Sequence, residues 1–284
     1  MSAFEEGWLA LREAVDERSR AQFPLSAVRE RRRDGPLHIL DLASGTGANL
    51  RRLAPRIGGA QSWLLTDADR RLLRATESRM RTWASSNGYG LSRRAEDAEI
   101  AGPGFRCRYR LQQADLAREL AHLPIRDQDL VTASALLDLV SEPWVDELIR
   151  RCRHAGSDVL FALTYDGRVE CRPRADDDAL VLDSVNRHQR LDKGFGPAMG
   201  PSACERTETI LLRAGYRVLR RSSTWRLGPN DAELQRELLS GWAGAAAQIA
   251  PGLGDRLESW QRKRAGFLLR GLSRIAVGHQ DLFA

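Results

Sequence analysis

Apolar positions recur in two rhythms along this chain. Residues 3–22 set Phe4, Trp8, Leu11 and Val15 at helical spacing, which predicts an amphipathic opening helix. An arginine-rich connector follows, and Gly35-Pro36 stops it. From Leu37 the rhythm shortens. LHILDLAS (37–44) is a short β-like run closed by Gly45-Thr46-Gly47. GANLRRLAP (47–55) reads as a helix that begins at the glycines and ends before Pro55. SWLLTD (62–67) predicts a second strand. Residues 68–88 predict a helix with Leu72, Leu73, Thr76, Met80 and Trp83 on one face, closed by Asn87-Gly88. Residues 89–104 are polar, end in Gly102-Pro103-Gly104, and predict a loop. FRCRYRLQQAD (105–115), DLVTASAL (129–136) and DVLFALTY (158–165) predict three more strands. Between the last two, Ser141 caps a helix with Pro143 in its first turn and Val145, Leu148, Ile149 and Cys152 on one face.

Strand and helix thus alternate five times, which predicts a mostly parallel sheet covered by helices on both faces. The strands are near-continuous apolar runs, as doubly covered strands are. After Tyr165 the alternation breaks. Residues 166–200 are polar and turn-rich, with a short helix near DALVLDSVNRHQR, and predict an inserted lid. A helix (202–216), a strand (216–227), two helices (about 231–250 and 255–271, split by Pro251-Gly252) and a terminal strand complete the pattern. The expected organisation is an N-terminal helix and basic connector over 1–35, then one domain over 36–284 with a helical insertion at about 231–271.

Composition narrows the class. Of 284 residues, 42% are hydrophobic and 29% charged, ordinary for a globular protein. No run approaches the 18 apolar residues of a membrane span. The acidic, amphipathic start lacks the basic head of a signal peptide, so a cytoplasmic protein is expected. The net charge is +6, and only Lys193 and Lys263 are lysines among 44 basic residues. The one dense cluster is Arg29, Arg31, Arg32 and Arg33, either a solvated linker or an anion-binding patch. Cys107, Cys152, Cys171 and Cys204 lie in no C-x-x-C pair and near no histidine at ligand spacing. That excludes a zinc motif and a disulfide framework; no metal is expected.

The chemistry concentrates at strand ends. Gly45 and Gly47 let a ligand approach the backbone where a strand meets a helix. Free N–H groups at the helix start face that ligand. Leu50 stands where a dinucleotide fingerprint needs its third glycine, and no G-K-[ST] marks a P-loop. Asp67 ends strand two about twenty residues past Gly47, a distance that suits a carboxylate accepting both hydroxyls of a ribose. Asp115 follows strand three, where it can meet an adenine amino group or cap the next helix.

These landmarks together resemble the class I, Rossmann-like S-adenosylmethionine-dependent methyltransferases. ILDLASGTGANL is similar to that family's glycine-rich first motif, with Ala43 and Ser44 where glycine and cysteine are usual. Asp67 and Asp115 match the acidic residues after strands two and three, and DLVTASALLDLV matches the strand-four motif. GYRVLRRSSTW resembles the penultimate strand. The N-P-P-[YF] motif is absent. The resemblance implies a seven-stranded sheet and S-adenosyl-L-methionine as cofactor, touched by Asp41, Ala43, Ser44, Gly45, Gly47, Asn49, Asp67, Ala68, Asp115, Leu116 and Ser134.

On the acceptor side, Asp138 is a carboxylate inside an apolar run, and must be paired or face a polar cleft. His188 is the side chain best suited to remove a proton near neutral pH; a surface histidine on the lid is the plainer alternative. Both are the catalytic candidates. Asn186 and Lys193 surround His188, and Tyr165 ends strand five; these three are the substrate-side candidates. The expected activity is methyl transfer to an oxygen or nitrogen of a small polar molecule. An RNA methyltransferase and a non-catalytic cofactor-binding subunit are the other readings. Dispersed arginines, without aromatics interleaved among them, argue against nucleic acid.

Overall fold

In the computed structural model, which describes residues 6–23, 25, 28, 30, 35–94 and 96–284, strand β1 (Leu37–Leu42) lies between two parallel neighbours. These are β2 (Gly59–Asp67) and β6 (Leu130–Ser134). Beyond β2 runs β5 (Phe105–Gln113) and beyond β6 runs β7 (Asp158–Arg172), both parallel. All six β1 positions except His38 are buried, because helices cover both faces. Leu40 and Leu42 pack under α5 (Glu142–Ala155) and α7 (Ala203–Arg213). Leu37 and Ile39 pack under α2 (Ala48–Ile57) and α3 (Arg70–Ser86).

The sheet has ten strands rather than the expected seven. One reason is that residues 89–104 are a hairpin, not a loop: β3 (Gly90–Arg93) and β4 (Ala98–Gly102) extend the β5 edge antiparallel. β3 buries no side chain, so its sequence carries no alternation. Tyr89, packed edge-on against Trp83 at 5.2 Å and Phe105 at 5.1 Å, anchors it instead. The other reason is that residues 216–227 form two short strands, β8 (Leu219–Ser222) and β9 (Trp225–Leu227). Both pair antiparallel with β10 (Arg274–Phe283), itself antiparallel to β7. Set aside the hairpin, count β8 and β9 as one interrupted strand, and the seven-stranded core remains.

Two boundaries and one cap also differ. α2 runs through Pro55 to Ile57. The proline costs one backbone bond and a clash with the Arg51 carbonyl, which the burial of Leu53, Ala54 and Ile57 offsets. Ser141 holds the N-cap position of α5, but its hydroxyl makes no cap bond. Residues 166–172 are not lid: β7 continues through them, pairing Val169 with Val277 and Cys171 with Ile275. Past β7, α6 (Asp178–His188) packs on α8 (Ala232–Ile249), with α9 (Gly254–Leu269) alongside. This third layer is apolar inside, with Val181, Val185, Trp242 and Trp260 buried together. It is fastened by Arg264, which is fully buried. Its Nη1 donates to the Pro173 carbonyl (2.8 Å) and its Nε to Asp178 (3.0 Å). All four cysteines are buried and unpaired. No helix among the described residues is long and apolar enough to cross a membrane. Arg29, Arg31, Arg32 and Arg33 lie outside the described residues.

Candidate functional site at the strand ends

β1 ends at Leu42, and five residues carry the chain to α2. Ala43 adopts a left-handed φ of 49°, a conformation that favours glycine and strains other residues. That turn lets the Ser44 N–H donate to the Thr66 carbonyl at 2.8 Å. Gly45 follows at φ 54° and donates its N–H to Asp67 Oδ2 at 2.9 Å. The other Asp67 oxygen accepts from the Asp69 N–H at 2.8 Å. Burial pushes the Asp67 carboxyl up, and these two N–H donors oppose it. Two strand tips are thereby tied into one ledge. At the tip of β6, Ala135 repeats the left-handed turn (φ 54°) and bonds the Ala162 carbonyl at 2.8 Å.

Beneath the ledge lies a buried polar relay. Arg20 donates to Asn49 Oδ1 at 2.7 Å, and Asn49 donates to Asp41 Oδ1 at 2.7 Å and to Thr132 Oγ1 at 3.1 Å. Asp41 is fully buried, and its second oxygen has no partner. Burial is the main cause that lifts its pKa to about 7; Asn49 and Arg20 favour the charged form, and Asp67 opposes it. Burial likewise lowers Arg20 to about 10. The Ser44 hydroxyl is also buried without a partner. Unsatisfied buried polar atoms are costly, and both Asp41 and Ser44 border the same cleft.

That cleft measures about 1640 Å³, above the usual range for one small ligand. One end is the ledge: Asp41, Ser44, Gly45, Asn49, Asp67 and Ser134. The other end is apolar, walled by Leu136, Leu139, Val185, Phe195, Leu238 and Trp242, with His188 and Lys193 among them. Helix α1 (Glu6–Ser19) forms a side wall. Its Leu9 presses on the glycine turn, where a Cβ on Gly45 would lie 3.2 Å from Leu9 Cδ1. Glu13 pairs with Arg51 at 2.6 Å, and Glu17 with Arg52 and Arg56 at 2.8 and 2.7 Å.

No family model and no curated protein matches the chain. Solved structures do. A cyclopropane-fatty-acyl-phospholipid synthase-like protein from Lactobacillus casei aligns over 96% of this chain and 91% of its own, at 13% identity and a TM-score of 0.52. The fold is that of the class I methyltransferases. YcgJ from Bacillus subtilis aligns over 90% and 95% of the two chains at 14% identity and a TM-score of 0.47. The cyclopropane synthase MmaA2 from Mycobacterium tuberculosis aligns over 92% and 82% at 14% identity and a TM-score of 0.45.

Within this methyltransferase fold the residues singled out in the sequence divide. Asp41, Ala43, Ser44, Gly45, Asn49, Asp67, Ala68, Ser134, His188 and Lys193 border the cleft. The rest do not. Gly47 faces α3: a Cβ there would come within 2.5 Å of Met80 Cε, so that glycine makes room for packing. Asp115 caps the one-turn α4 (Leu116–Glu119), accepting from the Ala117 N–H at 3.0 Å, and Leu116 sits in the core. Tyr165 donates its hydroxyl to Asn186 Oδ1 at 2.8 Å, and Asn186 donates to the Gly167 carbonyl at 3.0 Å. That pair braces α6 against β7. Asp138 is buried behind the β6 tip with one oxygen unpartnered, and burial lifts its pKa to about 6. Sequence reasoning missed Leu9 and Arg20, Phe195, and Leu238 and Trp242. It also missed Gln248, whose Oε1 lies 3.0 Å from His188 Nε2. The helical spacing of Trp8, Leu11 and Val15 marked α1 as packed, but nothing local indicated against what.

Proposed function

We propose that the protein transfers a methyl group from S-adenosyl-L-methionine to an oxygen or nitrogen of a small molecule held in the apolar end of the cleft. The observation that carries this reading is the ledge itself. Two buried polar groups, Asp41 Oδ2 and the Ser44 hydroxyl, stand without partners beside a glycine turn clasped by Asp67. Those residues fit the cofactor. Asp41 offers a carboxylate to an ammonium group, and Asp67 keeps lone pairs for ribose hydroxyls beyond its two backbone donors. The cofactor supplies an activated methyl group when bound. The chain's own work is then to orient the acceptor and exclude water.

His188 is the proposed base. The Gln248 amide oxygen only accepts, so His188 Nε2 carries the proton of the neutral ring and Nδ1 keeps a lone pair. Partial burial and the nearby Lys193 ammonium lower the His188 pKa, which keeps the ring unprotonated at neutral pH. An acceptor hydroxyl or ammonium placed there can lose its proton to Nδ1.

The test has two parts. Calorimetric titration with S-adenosylhomocysteine should show binding to the parent chain and much weaker binding to the Asp67→Ala variant. Incubating the purified protein with methyl-labelled cofactor and a metabolite extract should then label a small-molecule fraction. Label appearing only in bulk RNA would reject the acceptor assignment; no binding of S-adenosylhomocysteine would reject the cofactor assignment.

A further inference from the structure

The cleft lining holds an ammonium that no carboxylate contacts. Of the two lysines, Lys263 pairs with Asp176 at 2.9 Å. Lys193 has no carboxylate partner among the described residues, and its Nζ makes one hydrogen bond, to the His188 carbonyl at 3.2 Å. The charged side chains of α1 that border the cleft are matched. Arg12 holds Asp16 through two contacts of 2.9 and 3.2 Å, and Glu13 holds Arg51. Lys193 shares the cleft lining with Leu136, Val185, Phe195, Leu238 and Trp242, and with Glu237. Phe195 is fixed by an edge-on contact with Trp144, ring centroids 5.4 Å apart. Burial alone depresses the Lys193 pKa, the sign of an ammonium losing water without gaining an anion.

A partly buried ammonium with no carboxylate in contact lacks a direct counter-charge. We infer that this compartment binds an apolar carboxylic acid, with its carboxylate on Lys193 and its body against Phe195 and Trp242. Lysine presents one compact charge, which one carboxylate neutralises. The hydrogen bond from Lys193 to the His188 carbonyl puts the anchoring charge beside the proposed base. The carboxylate therefore orients the acceptor group. This inference deepens the methyltransfer reading and rests on it for the chemistry, but the binding itself stands on the compartment.

Calorimetric titration of the full chain with 2-naphthoate and its neutral analogue 2-naphthamide tests it, with decanoate as an aliphatic arm. The expected result is naphthoate binding at least about tenfold tighter than naphthamide, the scale of a hydrogen bond to a charged group. Lys193→Met should erase that preference. Lys193→Glu should transfer it to 2-naphthylmethylamine, which also shows that the compartment is intact in the variant. Decanoate binding as tightly as naphthoate supports the inference and extends it to aliphatic bodies. A preference below about tenfold in the parent, or one that survives in Lys193→Met, overturns it. An S-adenosylhomocysteine titration on the same sample separates the two readings. Cofactor-product binding without carboxylate preference overturns this inference alone. Carboxylate preference without cofactor-product binding overturns the methyltransfer reading alone.

Discussion

Replacing Asp41 with asparagine should make the protein more stable at alkaline pH while disabling it. Burial raises the folded carboxyl from its ordinary pKa of 3.8 to about 7. The folded state therefore holds more protons than the unfolded state between about pH 4 and pH 7, and stability falls as pH rises through that window. Three pKa units correspond to about 4 kcal/mol of destabilisation, complete above pH 7 and nearly absent at pH 4. Asparagine keeps an acceptor for Asn49 and removes the charge. It also turns an amide toward the position where Asp41 Oδ2 has no partner, at a cost of about 1–3 kcal/mol. The variant should gain about 1–3 kcal/mol at pH 8 and lose a similar amount at pH 4. Urea unfolding of parent and variant across that range would show the two stability curves crossing. S-adenosylhomocysteine should raise the Tm of the parent and scarcely that of the variant. Parallel curves at all pH values would refute the argument, since they would mean that Asp41 titrates alike in folded and unfolded chains.

Asp67→Ala should weaken S-adenosylhomocysteine binding by about 1.5–3 kcal/mol, because the ribose acceptor and the clasp on the Gly45 N–H go together; calorimetry reads it, and unchanged affinity would remove Asp67 from the site. His188→Ala should lower turnover on an identified acceptor by about 10²–10⁴-fold with cofactor affinity within about twofold. Gln248→Leu should shift the pH–rate profile rather than abolish activity, and an unmoved profile would deny Gln248 its part in setting the ring's protons. Arg264→Met breaks a buried ion pair and should cost about 3–5 kcal/mol in urea unfolding. Adding Asp178→Asn should recover part of it, because it removes the carboxylate left without its cation; its one amide oxygen keeps one of the two 2.8 Å bonds, from Trp260 Nε1 or from the Ala175 N–H, which reach different carboxylate oxygens.

The sheet and the ledge were readable because their causes are local. Asp41, the glycines and Asp67 mark strand tips by residue type, and Ala43 replaces the usual glycine at a position whose left-handed φ explains that preference. Gly47 and Asp115 show the limit of such marks. A glycine can serve packing against Met80, and an aspartate after a strand can cap a helical turn. The apolar end was illegible for a different reason. Leu136, Phe195, Leu238 and Trp242 belong to three segments far apart in the chain, and each alone looks like ordinary core. The same holds for residues 166–172, whose strand character depends on pairing with β10 about a hundred positions later.

Asp281 ties distant parts of the chain together. One carboxylate oxygen accepts the Ala21 N–H just past α1, and the other accepts the Leu163 N–H in β7 and the Ser223 hydroxyl. Asp16, on α1, accepts from the Trp225 indole at 3.0 Å, and Arg18 pairs with Asp231 at 2.6 Å. The helix that walls the cleft is thus fastened by residues that follow their partners by 209 to 260 positions. The parallel strands can assemble while the chain is still being made, but α1 has no complete seat until β10 has emerged. A nascent chain arrested before Asp281 would carry the glycine turn and Asp67 without the wall, and competence to hold a ligand would arise only once β10 is in place.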